Sequence, residues 1–124
     1  MPLAMLAHRE DGSILFANES LASLLGYDRL ADSLEDVGHS LKGVIHPDDW
    51  DGFMRSLSDW VAGDESGKAL EMQARANACG GRILRVVYRA QLVTTKKKGD
   101  IVYAYLVASD TIDRLAHMAH DEEG

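Results

Sequence analysis

Residues Ile101 to Ser109 constrain the fold more than any other stretch, because they are apolar on both faces that a strand would present. Ile101, Tyr103, Tyr105 and Val107 alternate with Val102, Ala104, Leu106 and Ala108. A strand with one face in water alternates apolar with polar, so a run without a polar face belongs in the middle of a sheet covered on both sides. The two preceding stretches do alternate. Leu84, Val86, Tyr88, Ala90 and Leu92 interleave with Arg85, Val87, Arg89, Gln91 and Val93, and Leu70, Met72, Ala74 and Ala76 interleave with Glu71, Gln73, Arg75 and Asn77. That is the period of half-buried strands. Cys79-Gly80-Gly81 and Lys98-Gly99-Asp100 read as the turns between them, which predicts a three-strand antiparallel meander.

The first half carries different punctuation. Leu3 to Ala7 and Ser13 to Ala17 flank Asp11-Gly12, a strong hairpin signal. Asn18 can cap a helix, Glu19 complements its dipole, and Leu21, Leu24 and Leu25 share one face before Gly26 stops it. Residues 28–45 predict short helices and loops, since Gly38 and Gly43 interrupt anything longer. Pro47 then opens a long helix with Asp48 and Asp49 at its positive end. Trp50, Phe53, Met54, Leu57, Trp60 and Val61 form its apolar stripe, and Gly63 ends it. Two strands, a helical middle and three strands make an α+β architecture.

Taken in order, Asp11-Gly12, Asn18, Ile45-His46-Pro47-Asp48-Asp49 and Ser109-Asp110-Thr111-Ile112-Asp113 resemble the PAS domain, the sensor and dimerisation module of bacterial-type signalling proteins. The resemblance runs from about Leu3 to Asp113. It implies a five-stranded antiparallel sheet of order 2-1-5-4-3, helices on one face and a C-terminal exit helix. The last strand would then be central, in agreement with its double apolarity. The expected division is a single domain over 1–113 and the start of an exit or linker helix over 114–124. PAS domains commonly hand over to a coiled-coil linker at an Asp-Ile-Thr motif. Asp110-Thr111-Ile112-Asp113 is a permuted version, in which Asp110 can still cap the exit helix. The tail Leu115-Ala116-His117-Met118-Ala119-His120-Asp121 resembles the phosphoacceptor region of histidine kinases and the linkers of diguanylate cyclases alike. The resemblance thus implies a sensory module with an output domain in the same polypeptide.

Charge and composition narrow the partners. With 13 Lys+Arg against 20 Asp+Glu, the net charge of -7 repels phosphate backbones and anionic lipid. Lys96-Lys97-Lys98 reads as a solvated hairpin tip. No apolar stretch approaches the ~20 residues that span a bilayer, and the first ten residues lack the pattern of a signal peptide. A single cysteine rules out an internal disulfide and suits a reducing compartment, so the cytoplasm is the expected location.

Residues able to carry chemistry are few. His46, Asp48 and Asp49 could serve acid-base catalysis, yet proline and acids at this point are what a helix start requires. His117 and His120 lack a third ligand at fixed spacing. His39, between Gly38 and Ser40, is the one candidate for an acid-base group in a cavity, and it carries the alternative of a small α+β enzyme or ligand carrier. Flavin photosensors that resemble this fold need a cysteine in the helical middle, whereas Cys79 lies on a glycine-rich turn. Haem-binding relatives use a histidine on the long helix, and Pro47 to Ala62 contains none. Haem and a cysteinyl-flavin adduct are therefore disfavoured, no metal is expected, and a non-catalytic domain is.

Met54, Leu57, Leu84, Tyr88, Tyr103 and His39 are the candidate pocket residues between helix and sheet, where a small apolar metabolite or a solid core would sit. Val87, Val102, Ala104 and Leu106, with Val93 and Ala108, are the candidate outer face. A contiguous apolar patch there calls for a cover, and a two-fold homodimer is the expected one.

Overall fold

The computed structural model describes residues 3–63, 69–95 and 99–109. β1 (Ala4–Arg9) and β2 (Ile14–Ala17) form the expected hairpin. Its turn is closed by the Arg9 N–H on the Ser13 carbonyl at 2.9 Å and the Gly12 N–H on the Arg9 carbonyl at 3.0 Å. Gly12 sits at φ +94, a conformation that favours glycine, and a Cβ there would lie a tight 3.1 Å from the Trp50 ring. A register shift opposite Ala7 and His8, which pair with Phe16 and Ile14, leaves Leu15 as an extra residue in β2.

Asn18 ties the hairpin to the first helix. Its Oδ1 accepts from Leu21 N at 3.1 Å and Met5 N at 3.0 Å, while Nδ2 donates to the Leu3 carbonyl at 2.8 Å. α1 (Glu19–Leu24) buries Leu21 and Ala22 and gives way to Gly26 at φ +82. The helical middle resolves into α2 (Leu30–Asp36) and α3 (Leu41–Val44), the latter capped by Ser40. Gly43 lies so close to the Val37 backbone that no side chain fits there. α4 (Pro47–Ala62) is the longest helix, with Phe53 and Leu57 buried.

β3 (Leu70–Asn77), a single 3-10 turn at Cys79–Gly81, β4 (Ile83–Thr95) and β5 (Gly99–Ala108) complete the antiparallel sheet. Its order, β2-β1-β5-β4-β3, is the one the resemblance implies, and β5 is central. The free edge of β3 is partly covered by the entry to α4, through an Ile45–Ala76 bridge and the His46 N–H on the Arg75 carbonyl at 2.8 Å. Helices and sheet enclose one core. Leu21, Leu25, Leu41, Val44, Ile45, Phe53 and Leu57 meet Leu6, Ala76, Val86, Tyr88, Val102 and Leu106 there.

The register corrects one expectation. Leu106 pairs with Tyr88, Ala104 with Ala90 and Val102 with Leu92, so these residues share the inner face. Val102, Ala104 and Leu106 are 0%, 2% and 2% exposed, and they belong to the core rather than to an outer patch. Val87 does face outward, opposite Val107. Tyr103, expected inside, is 48% exposed on the outer face. Since β5 is apolar on both sides, its own pattern cannot orient it; pairing with the half-polar β4 does. The Lys96-Lys97-Lys98 tip, the Asp110 to Asp113 motif, His117, His120 and the exit helix over 114–124 lie outside the described residues. Among the described residues no helix is long and apolar enough to cross a membrane.

Candidate functional site

Leu57 and Tyr88 are fully buried between α4 and the sheet, and Met54 and Leu84 pack partly buried against the same core. Tyr88 meets Phe53 edge-on at 4.9 Å and 75°, and Phe53 stacks on Trp50 at 6.2 Å and 13°. Trp50 and Phe53 of the helix and Tyr88 of the sheet thus form one run of aromatic contacts. His39 does not join them. Gly38 at φ +67 and His39 at φ +54 end α2, with the His39 N–H on the Leu34 carbonyl at 2.9 Å. That left-handed exit leaves His39 exposed, its carbonyl accepting from Ile14 N at 2.8 Å.

Burial of a polar pair sets this core apart. His8 alternates with Ala4 and Leu6 on the inner face of β1 and is 0% exposed. Its Nδ1 lies 2.7 Å from the Arg9 carbonyl and its Nε2 lies 2.6 Å from the Tyr88 hydroxyl. A carbonyl only accepts, so Nδ1 carries the proton; Nε2 is then the acceptor and Tyr88 donates. Burial lowers the His8 pKa below the ordinary imidazole value and raises that of Tyr88, since each charged form would lose its hydration. The signal for His8 was a histidine in step with the apolar residues of a strand, one position beyond the expected end at Ala7.

A second cluster joins α4 to β3. Asp49 accepts from Arg75 Nε at 3.1 Å, Nη2 at 2.8 Å and the backbone N–H at 2.9 Å. The side-chain hydrogen bonds, followed by the backbone one, hold the Asp49 carboxyl down at about 2. No local pattern reveals this pair, which spans 26 residues of sequence. His46 caps α4 by accepting from Asp48 N at 3.1 Å on Nδ1, the structural role expected of it. Beside the cluster, a cleft of about 450 Å³ opens between Asp49, Gly52, Phe53, Ser56, Met72 and Gln73. Near Gly26, Tyr27 donates to Asp36, which pushes the Tyr27 pKa up to about 12. Cys79 is half-buried, and its N–H donates to the Leu25 carbonyl at 2.8 Å. Among the described residues no three His, Cys, Asp or Glu side chains are grouped to hold a metal ion.

The outer face of the sheet carries exposed apolar side chains. Phe16, Ala7, Tyr103 and Gln91 form one cross-strand row, and Met5, Tyr105, Arg89 and Glu71 the next. Phe16, Met5 and Tyr103 stand exposed, and a groove of about 490 Å³ runs past Met5, Arg89, Gln91, Tyr103 and Tyr105.

No family profile and no curated protein matches the sequence. Solved structures do. The chain is similar to the PAS domain of an HTR-like protein from Haloarcula marismortui at 17% identity and TM-score 0.64, over 86% of this chain and 81% of that one. Similarity to the PAS-B domain of Drosophila melanogaster Cycle with bound ethylene glycol has 13% identity and TM-score 0.68, over 86% and 99%. A domain of a sensory box sensor histidine kinase/response regulator from Geobacter sulfurreducens matches at 21% identity and TM-score 0.59, over 83% and 81%. The chain has the PAS fold.

Proposed function

We propose that this domain is the sensory and dimerisation module of a cytoplasmic signal-transduction protein of the histidine kinase or diguanylate cyclase type. On this reading it is not itself an enzyme. The observation that carries the proposal is the asymmetry of the sheet: helices cover one face, while the other presents exposed Phe16 and an open groove past Met5, Tyr103 and Tyr105. Large exposed apolar surface is unfavourable unless something docks on it, and one self-complementary face suffices for a two-fold dimer. A change in the core would shift β5, alter this face and bias an output domain reached through residues 110–124.

The likeness to sensor-kinase domains supports the class of output. The interface we propose is Met5, Phe16, Val87, Tyr103 and Tyr105. For ligand, we propose a core packed solid or holding a small apolar metabolite, without haem or cysteinyl flavin. The reading is tested by joining the chain at Gly124 to the catalytic region of a sensor kinase. Tyr103→Glu should change autophosphorylation at least several-fold; unchanged activity in an otherwise folded fusion contradicts it. The purified chain should be colourless, and a Soret or flavin band would contradict the ligand assignment.

A further inference from the structure

His8 and Tyr88 come from β1 and β4, the two strands that flank the central β5. His8 lies in the cross-strand row of Val102 and Leu92, and Tyr88 lies in that of Leu106 and Ala4. The row between them holds Leu6, Ala104 and Ala90, and the phenol spans it to reach Nε2. On its other side the Tyr88 ring rests on Phe53, and Phe53 on Trp50. A continuous path of side chains thus joins the end of β1 to the first turns of α4.

We propose that the His8–Tyr88 hydrogen bond is an acid-sensitive latch between β1 and α4, closed while His8 is neutral and released when it takes up a proton. Nδ1 already carries hydrogen, so a proton from water must go to Nε2, which then changes from acceptor to donor. The Tyr88 hydroxyl can no longer donate there. It would have to accept from Nε2 and turn its own hydrogen into a buried, apolar surrounding where no second partner is found among the described residues. A cation and an unsatisfied donor are both costly in that setting, so the pair separates.

The groups facing His8 offer little compensation. β5 presents Val102, β2 presents Ile14, β4 presents Tyr88, α1 packs against β1 with Leu21 and Ala22 buried, and α4 meets Tyr88 through Phe53. The charge that favours the imidazolium is Asp11, an exposed carboxylate on the β1–β2 turn. The sign follows. Above the ordinary histidine value of 6.5 neither folded nor unfolded His8 is charged. Below it the unfolded chain takes up a proton that the closed latch refuses, so the closed fold loses stability as pH falls toward the lowered folded value. This inference concerns the buried face of the sheet and stands apart from the docking role proposed for the outer one.

Trp50 reports the latch. In a Trp60→Phe background, its emission would be followed from about pH 8 to about pH 5, the range over which imidazole titrates. The expected result is one reversible step with its midpoint below 6.5, lost in His8→Gln and retained in His46→Asn, which keeps the α4 cap without an imidazole. No step, or a step that survives His8→Gln or vanishes only in His46→Asn, overturns the proposal. Should His8→Gln fail to fold, long-range 1H–15N spectra of the unsubstituted chain decide the matter. Nδ1 protonation at neutral pH with a titration below 6.5 supports the latch; Nε2 protonation, or a titration at 6.5 or above, refutes it.

Discussion

On the inner face of β5, Val102, Ala104 and Leu106 lie buried beneath the helices, whereas one residue away on the outer face Tyr103 stands 48% exposed between Ala7 and Gln91. The two faces are similarly apolar and differ in what meets them. Inside, they join the apolar core and the hydrogen-bonded His8–Tyr88 pair. Outside, Met5 and Phe16 are exposed and share the face with Arg89 and Gln91, a mixed apolar and polar surface. Apolarity thus says that both faces are to be covered; only pairing with a half-polar neighbour says which one the chain covers itself.

The sharpest way to break this comparison is a charge on each side of the same strand. Leu106→Glu places an unpaired carboxylate in the core and should cost more than about 4 kcal/mol, enough to prevent folding as judged by circular dichroism. A folded Leu106→Glu protein would mean that the faces are inverted. Tyr88→Phe keeps the ring against Phe53 and removes only the hydroxyl, leaving buried Nε2 of His8 without its donor. A loss of about 1–3 kcal/mol in denaturant unfolding is expected, and no loss would show that the pair contributes nothing.

The edge of the sheet gives a smaller, pH-dependent effect. Asp49 falls from 3.8 in the unfolded chain to about 2 in the fold, so its stabilising contribution is complete above 3.8 and fades as pH drops toward 2. Asp49→Asn should flatten that part of the stability curve, and a slope unchanged between wild type and variant would assign it to other carboxylates. Least of all should come from Arg89→Ala on the outer face. Its contact with Glu71 is 4.0 Å between exposed groups, for which about 0.5 kcal/mol or less is expected in the same unfolding assay.

Local signals made most of the fold legible. Asn18, Pro47 and the Asp11-Gly12 turn act within a few residues, and the helices and hairpin fall where those signals place them. The site was less legible because its geometry is long-range. His8 and Tyr88 are 80 residues apart, and Asp49 and Arg75 26 apart, with no periodicity to connect them. The orientation of β5 failed for a related reason: a strand apolar on both faces contains no information about its own sidedness. The exposed place of His39 follows from a positive φ at a non-glycine residue, which sequence alone does not announce.

The central claim is that the outer face, centred on Tyr103, is where this domain meets a second copy of itself. Sedimentation of wild type and Tyr103→Glu side by side tests it most directly, with thermal unfolding as the control. The account expects a concentration-dependent dimer for wild type and a monomer for Tyr103→Glu, with stability per chain changed by no more than about 0.5 kcal/mol once association is allowed for. A wild type that stays monomeric at high concentration, or a charged variant that still dimerises, would contradict it.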